Sequence, residues 1–216
     1  RAQTSLAAIG TYMETKVKNV IERLYYIPMN QSFSNAVEKL LLEPGSAMDG
    51  DIMSSISSTL SLYKITEPLI SSLYFYTPEA SYTDMTVFVT KNYNFEDSKL
   101  YSLVREGYGP IIWGTPSTDE IFISHKEVVP LLYRFTIDGY GRDNVILANL
   151  DQNQIYEYLK DILYAEDASV LLFDDGGQVV ASRMIDGHKD FAEKGLGPEY
   201  LSSLAGQKNG VYNERM

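Results

Sequence analysis

The 216-residue chain contains no cysteine, which removes disulfide frameworks, thiolate metal sites and cysteine nucleophiles together. Histidine is nearly absent as well. The two present, His125 and His188, stand near no Gly-x-Ser-x-Gly elbow, so a Ser-His-acid triad has no support. Long apolar runs are missing, none approaching the roughly 18 residues that a membrane span requires. No signal peptide is visible, and a chain that opens at Arg1 reads as a segment excised from a longer protein. Basic residues are in deficit, 18 Lys plus Arg against 29 Asp plus Glu, and the resulting charge of -11 repels a nucleic-acid backbone. The densest basic set, Lys16, Lys18 and Arg23, reads as one solvated helix face.

Cofactor signatures are also lacking. Gly107-Tyr108-Gly109 has neither the third glycine nor the preceding strand of a dinucleotide fingerprint. Asp174-Asp175-Gly176-Gly177 lacks the alternating oxygen ligands of a calcium loop and reads as a hairpin turn. Paired carboxylates can be drawn from the acidic residues in too many ways to indicate a glycosidase. The expectation is no catalytic residue, no metal and no cofactor, in a protein that is not an enzyme.

What is present is an ordinary globular balance, 44% hydrophobic and 22% charged, with 17 tyrosines beside one tryptophan. Tyrosine offers an apolar face and a hydroxyl, suited both to half-buried strands and to polar small-molecule pockets. Ile9, Met13, Val17, Val20, Leu24 and Ile27 recur at spacings of three and four, which predicts a long amphipathic helix. Pro28 is expected to interrupt it, and the pattern resumes through Phe33, Val37, Leu40 and Leu41 before Pro44-Gly45. Asp49 or Asp51 caps a second helix carrying Ile52, Ile56 and Leu60, which stops before Pro68.

The period then changes. Strands are predicted over 70–76, 85–90, 111–114, 120–124, 128–137 and 145–150, with a short helix over 95–106. A helix follows Asp151, paired with Gln154 as a capping box and burying Ile155, Tyr158, Leu159 and Ile162. Residues 169–173 and 178–182 form a hairpin, a short helix starts near Gly197-Pro198, and a last strand begins near Gly210. Trp113, on its strand after a glycine turn, could sit edge-on to Tyr74 or Tyr76, with Arg134 and Asp138 supplying a charged donor and an acceptor.

The long opening helix, ISSLYFYT followed by TVFVTKNYNF, GPIIWGTP, VVPLLYRFTID, VILANLDQNQIYEYLKDI and SVLLFDDGGQVVAS together span about residues 50–183. In this order they resemble the extracellular double-Cache domains of Gram-positive sensors, notably those of YesM-type histidine kinases and membrane-bound AraC-type regulators. The resemblance implies an α+β fold: a long N-terminal helix beside two PAS-like antiparallel-sheet Cache modules. It divides the chain into a stalk helix over 1–44, a membrane-distal module over 45–150 and a membrane-proximal module over 151–216, the last incomplete.

Ligands in that family generally bind the distal module, so the resemblance carries ligand-binding roles onto Tyr74, Tyr76, Trp113, Tyr133, Arg134 and Asp138. The Arg-x-x-Trp arrangement of the amino-acid-binding subgroup has no counterpart before Trp113. The implied role is signal sensing at the outer face of a bacterial membrane, with a small polar molecule such as a sugar, or an extracellular binding protein, as partner. The parent would be a membrane-anchored homodimer, its first helix pairing through Ile9, Met13, Val17, Val20 and Leu24. A solute-binding or adhesion module without signalling output is the alternative.

Overall fold

The computed structural model describes residues 2–43, 45–86, 88–137, 144–160, 170–173 and 179–183. The chain divides into two compact units, Asn19–Asp151 and a second joining Arg1–Lys18 to Gln152–Met216.

The amphipathic pattern at the start forms α1 (Ala2–Met29), which contributes residues to both units. Pro28 falls in its last turn, and the helix gives way at Asn30, whose side chain accepts the Phe33 amide at 3.2 Å as N-cap of α2 (Gln31–Leu42). Asp49 caps α3 (Gly50–Ile65) by accepting the Asp51 amide at 2.9 Å, and Ile52, Ile56 and Leu60 are buried as their spacing predicts. The basic residues of α1 are more engaged than a solvated face requires, since Arg23 pairs with the buried Glu67 at 3.3 Å. Val20 and Leu24 are fully buried within the chain and Met13 nearly so, while Val17 is half-buried.

Six antiparallel strands make the sheet of the larger unit: β1 (Ile70–Thr77), β2 (Ala80–Thr83), β3 (Ile111–Trp113), β4 (Ser117–Thr118), β5 (Glu127–Phe135) and β6 (Asn144–Asp151). Their order is β2-β1-β6-β5-β3, with β4 also pairing β5. Between β2 and β3 lies α4 (Lys99–Glu106), capped by the Ser98 hydroxyl. The central strand β6 runs as a continuous apolar stretch broken by asparagine, as expected of a strand covered on both faces.

Two expected strands are not formed. Among the described residues of 85–90 the pairing is an isolated bridge, Val89 to Phe122, off a sheet whose outer strands are β2 and β3. Asp84 also turns the chain away, its carboxylate accepting the Thr86 amide at 3.1 Å. Residues 120–124 turn for a similar reason: Asp119 Oδ1 accepts the amides of Ile121 and Phe122, and His125 closes the segment with φ of 44°. The strand expected to reach Ile137 ends at Phe135.

Strand alternation gives the sheet two different faces. One carries Leu73, Phe75, Leu131, Tyr133, Phe135 and Ile146 and receives α1 and α2, through Tyr25 edge-on to Tyr133 at 4.8 Å and Phe33 edge-on to Phe75 at 5.0 Å. The other carries Ser72, Tyr74, Tyr76, Leu132, Arg134, Val145, Leu147 and Asn149 and packs against Phe95, Val104 and Phe122.

In the smaller unit, α5 (Gln152–Lys160) follows directly on β6, with Ile155 buried. Tyr158 on α5 meets Tyr12 of α1 edge-on at 5.4 Å, and Lys16 Nζ lies 5.5 and 5.6 Å from the two ring centres. The expected hairpin is present as β7 (Val170–Phe173) and β8 (Val179–Arg183), paired antiparallel. Its Asp-Gly turn, the helix expected near 197 and the strand expected near 210 lie outside the described residues.

Candidate functional site

The sheet face away from α1 and α2 gathers polar groups among aromatic rings. Tyr74 and Tyr76 project from alternate positions of β1, and the turn before α4 lays Phe95 against both, at 5.5 and 5.0 Å between ring centres. Tyr93 meets Tyr74 edge-on at 6.3 Å, and Tyr101, from the first turn of α4, meets Tyr76 edge-on at 5.6 Å. Five rings thus form one continuous aromatic group. The Tyr76 hydroxyl donates to the exposed Glu96 carboxylate. Burial first, then that carboxylate, raises the Tyr76 phenol above its usual range, and burial pushes Tyr93 up to about 12. Both hydroxyls stay protonated at any physiological pH and can act as donors.

Beside the rings lies a buried polar network. Asn149 on β6 donates through Nδ2 to Ser72 Oγ of β1 at 3.2 Å and to Asp119 Oδ2 at 3.0 Å. Asp119 Oδ1 accepts the Ile121 and Phe122 amides at 2.9 and 3.3 Å. His125 is exposed and places Nδ1 3.2 Å from the Asp119 carbonyl rather than the carboxylate. Burial raises the Asp119 carboxyl above its ordinary value, opposed by the two amides, by Asn149 and by the His125 charge.

That shift fixes a sign. A carboxyl whose folded-state value lies above its unfolded value, about 3.9, costs stability once ionised. The cost is absent below the unfolded value, grows as pH rises from there and is complete above the folded value. Asp119→Asn removes the ionisation and keeps the acceptor for both amides. The difference in urea midpoint, wild type minus variant, is therefore expected to become more negative between pH 4 and pH 7; a flat difference would contradict the assignment.

The sequence-derived residues divide between the faces. Tyr74, Tyr76 and Arg134 share the one just described. Trp113 pairs with Leu131 and Tyr133 with Ile146, which puts both on the α1–α2 face, so Trp113 does not stand edge-on to Tyr74 or Tyr76. The error lies in reading proximity from strand order without register, since one residue of register reverses a side chain. Asp138 lies outside the described residues.

Arg134 is already engaged. Its guanidinium donates from Nη1 to the Val104 carbonyl at 3.0 Å and from Nη2 to the Gly109 carbonyl at 3.2 Å, tying the last turn of α4 and the following turn to β5. Arg134→Gln is expected to lower stability by about 1 kcal/mol, measured by urea unfolding. Asp119, Asn149, Ser72 and Tyr93 were not singled out from sequence. Asn149 alone carried a signal, as a polar residue inside the apolar run VILANL.

No protein-family model matches the chain and no curated protein does. Solved structures do match in fold. The ligand-binding domain of the Pseudomonas aeruginosa amino acid chemoreceptor PctC, in complex with GABA, aligns with a TM-score of 0.53 at 13% identity, over 92% of this chain and 82% of that one. The ligand-binding domain of Pseudomonas fluorescens chemoreceptor CtaA, in complex with L-leucine, aligns with a TM-score of 0.51 at 12% identity, over 91% and 78%. The sensory domain of a Campylobacter jejuni chemoreceptor with isoleucine bound gives 0.50 at 12% identity, over 96% and 81%. With its long N-terminal helix and antiparallel sheet, the chain has the α+β fold of Cache-like sensor domains.

Proposed function

We propose that this chain is the extracellular signal-sensing segment of a membrane-anchored bacterial receptor, and that it binds a small polar molecule on the Tyr74–Tyr93–Asn149 face of its larger unit. The observation that carries the reading is a set of buried polar side chains, Ser72, Asp119 and Asn149, held among aromatic rings on the sheet face that the long helices leave to short loops and α4. Aromatic walls with a few fixed polar groups are what small-ligand sites are made of. The likeness to chemoreceptor ligand-binding domains supports the same reading, and the ligands of those domains, amino acids and GABA, are small polar molecules.

The role is recognition rather than catalysis, with the output, a histidine kinase or a transcription regulator, carried by another part of the parent. Signalling requires the ligand to bind one arrangement of the segment better than another. Among the described residues no helix is long and apolar enough to cross a membrane, so an anchor would come from flanking sequence. The distal and proximal roles of residues 45–150 and 151–216 belong to the same proposal.

A thermal-shift panel of sugars, amino acids, amines and carboxylates, run on wild type and on Tyr74→Ala, tests it. At least one compound is expected to raise the wild-type melting temperature and to lose that effect in the variant. A panel without any stabilising compound, or hits that ignore Tyr74, would overturn the assignment.

A further inference from the structure

Val89 bridges Phe122 antiparallel, the Thr90 amide donating to the Ile121 carbonyl at 2.6 Å and the Ile123 amide to the Phe88 carbonyl at 3.1 Å. In a pair of this kind the bonds run through the flanking residues, so the amide and carbonyl of the paired residues themselves point away from the partner strand. On Phe122 those outward groups are met, the amide by Asp119 Oδ1 at 3.3 Å and the carbonyl by the His125 amide at 3.2 Å. On Val89 neither finds a partner among the described residues, and Val89 is exposed. The short ribbon has one capped edge and one open edge.

Its two faces also differ, as strand alternation requires. Phe122 turns into the core, whereas the next opposed pair, Phe88 and Ile123, is 82% and 59% exposed. Met85 extends this apolar patch toward α3, its amide donating to Ser61 Oγ at 2.9 Å, and Ile65 lies one turn beyond Ser61; both are exposed. The outer strands of the sheet, β2 and β3, carry no exposed large hydrophobic side chain. Open backbone groups beside exposed apolar side chains are the make-up of a strand-docking edge.

The open edge fixes the kind of occupant, an extended strand, and charge selects which one. Residues 85–90 and 121–124 carry no charged side chain, in a chain of net charge -11. Two copies bearing that charge repel each other, and here they can meet without opposing carboxylates. An antiparallel edge is moreover its own complement about a two-fold axis, since one residue on the axis can donate to and accept from its twin. We infer that the Phe88–Thr90 edge joins two copies of this chain, Val89 pairing with Val89 of the second copy while the Phe88 and Ile123 side chains of both cover one another. The contact is independent of the ligand proposed above. It is small for a stable dimer, and fits a receptor pair whose copies are held together by a shared membrane.

The absence of cysteine makes disulfide trapping of the whole chain free of background. Across the axis the two Cα atoms of Val89 would stand about 5.5 Å apart, within the span a disulfide bridges. Under mild oxidation Val89→Cys is expected to form a covalent dimer at least about tenfold faster than Ser54→Cys, an exposed control on α3, because only the former is held beside its twin. Adding Phe88→Asp should return Val89→Cys to the control rate, since it brings a carboxylate into each half of the contact; Phe88 is mostly in solvent, and circular dichroism verifies that the variant folds. Raising salt should speed trapping at Val89, because it screens the repulsion between two acidic copies and leaves the apolar contact intact.

Equal rates for the two single-cysteine variants would give the edge to a strand of another protein and overturn the inference. Trapping that ignores Phe88→Asp, or that slows with salt, would overturn it as well. So would rapid trapping of Val17→Cys on α1 with Val89→Cys silent, which would return the twin contact to the first helix.

Discussion

Asp84→Ala is expected to lower the unfolding free energy by about 3–5 kcal/mol, the range seen when one partner of a buried ion pair is deleted. Asp84 is wholly buried, and its carboxylate accepts the Leu73 amide at 3.0 Å, the Lys64 ammonium at 3.2 Å and the Thr86 amide at 3.1 Å. Removing it strands a β1 amide and leaves the Lys64 charge, 17% exposed, without its partner. Asp84→Asn retains an acceptor for the Leu73 amide and should lose less. The pair of Lys39 and Asp49 provides the contrast. It is shorter, at 2.7 Å, but its side chains are 44% and 31% exposed, so Lys39→Gln should cost far less than Asp84→Ala. Urea unfolding of the three variants measures this, and equal losses for Asp84→Ala and Lys39→Gln would show that burial does not decide the outcome.

Phe75→Ala is expected to cost about 3–5 kcal/mol, the usual loss for deleting a fully buried ring with partial collapse of the cavity. Phe75 is fully buried in the middle of the face beneath α2, edge-on to Phe33 at 5.0 Å and stacked with Tyr82 and Phe135 at 6.3 and 6.2 Å. Because Phe33 comes from α2, the loss should loosen the helix on the sheet. The double variant Phe33→Ala/Phe75→Ala should fall short of the sum of the singles by about 0.5–1.5 kcal/mol, the worth of an aromatic pair beyond its area. Strict additivity in urea unfolding would mean the two rings do not act together.

The helices were legible because they are amphipathic and capped. Val20, Leu24, Ile27, Phe33, Val37 and Leu40 are all buried, as their three-and-four spacing required, and Asn30 and Asp49 sit as N-caps. Strands β1, β3, β5 and β6 were also legible, since runs such as ISSLYFYT and VVPLLYRF have few alternatives. The run MTVFVT was not, because its strand-like composition says nothing about whether an edge is free to receive it. The result is an exposed segment, with Met85 and Phe88 mostly in solvent.

The candidate site was legible only in part. Tyr74 and Tyr76 were visible as ring-bearing positions on a strand. Trp113 was drawn toward them because register, which sends it to the other face, is set by pairing partners far away in the chain, whereas Tyr133 entered only through the resemblance. Asp119 stood in the polar loop STDE, where a carboxylate is ordinarily solvated, and only the fold over Asn149 and Ser72 buries it. A long-range contact of that kind leaves no local mark in the sequence.

The claim that one face of this sheet is the sensing surface is tested most directly by amide chemical-shift mapping of isotope-labelled protein during titration with a hit from the thermal-shift panel. Changes should concentrate at Ser72, Tyr74, Tyr93, Asp119, Phe122 and Asn149. Changes concentrated instead at Tyr25, Phe33, Trp113 and Tyr133, on the face beneath the long helices, would contradict it.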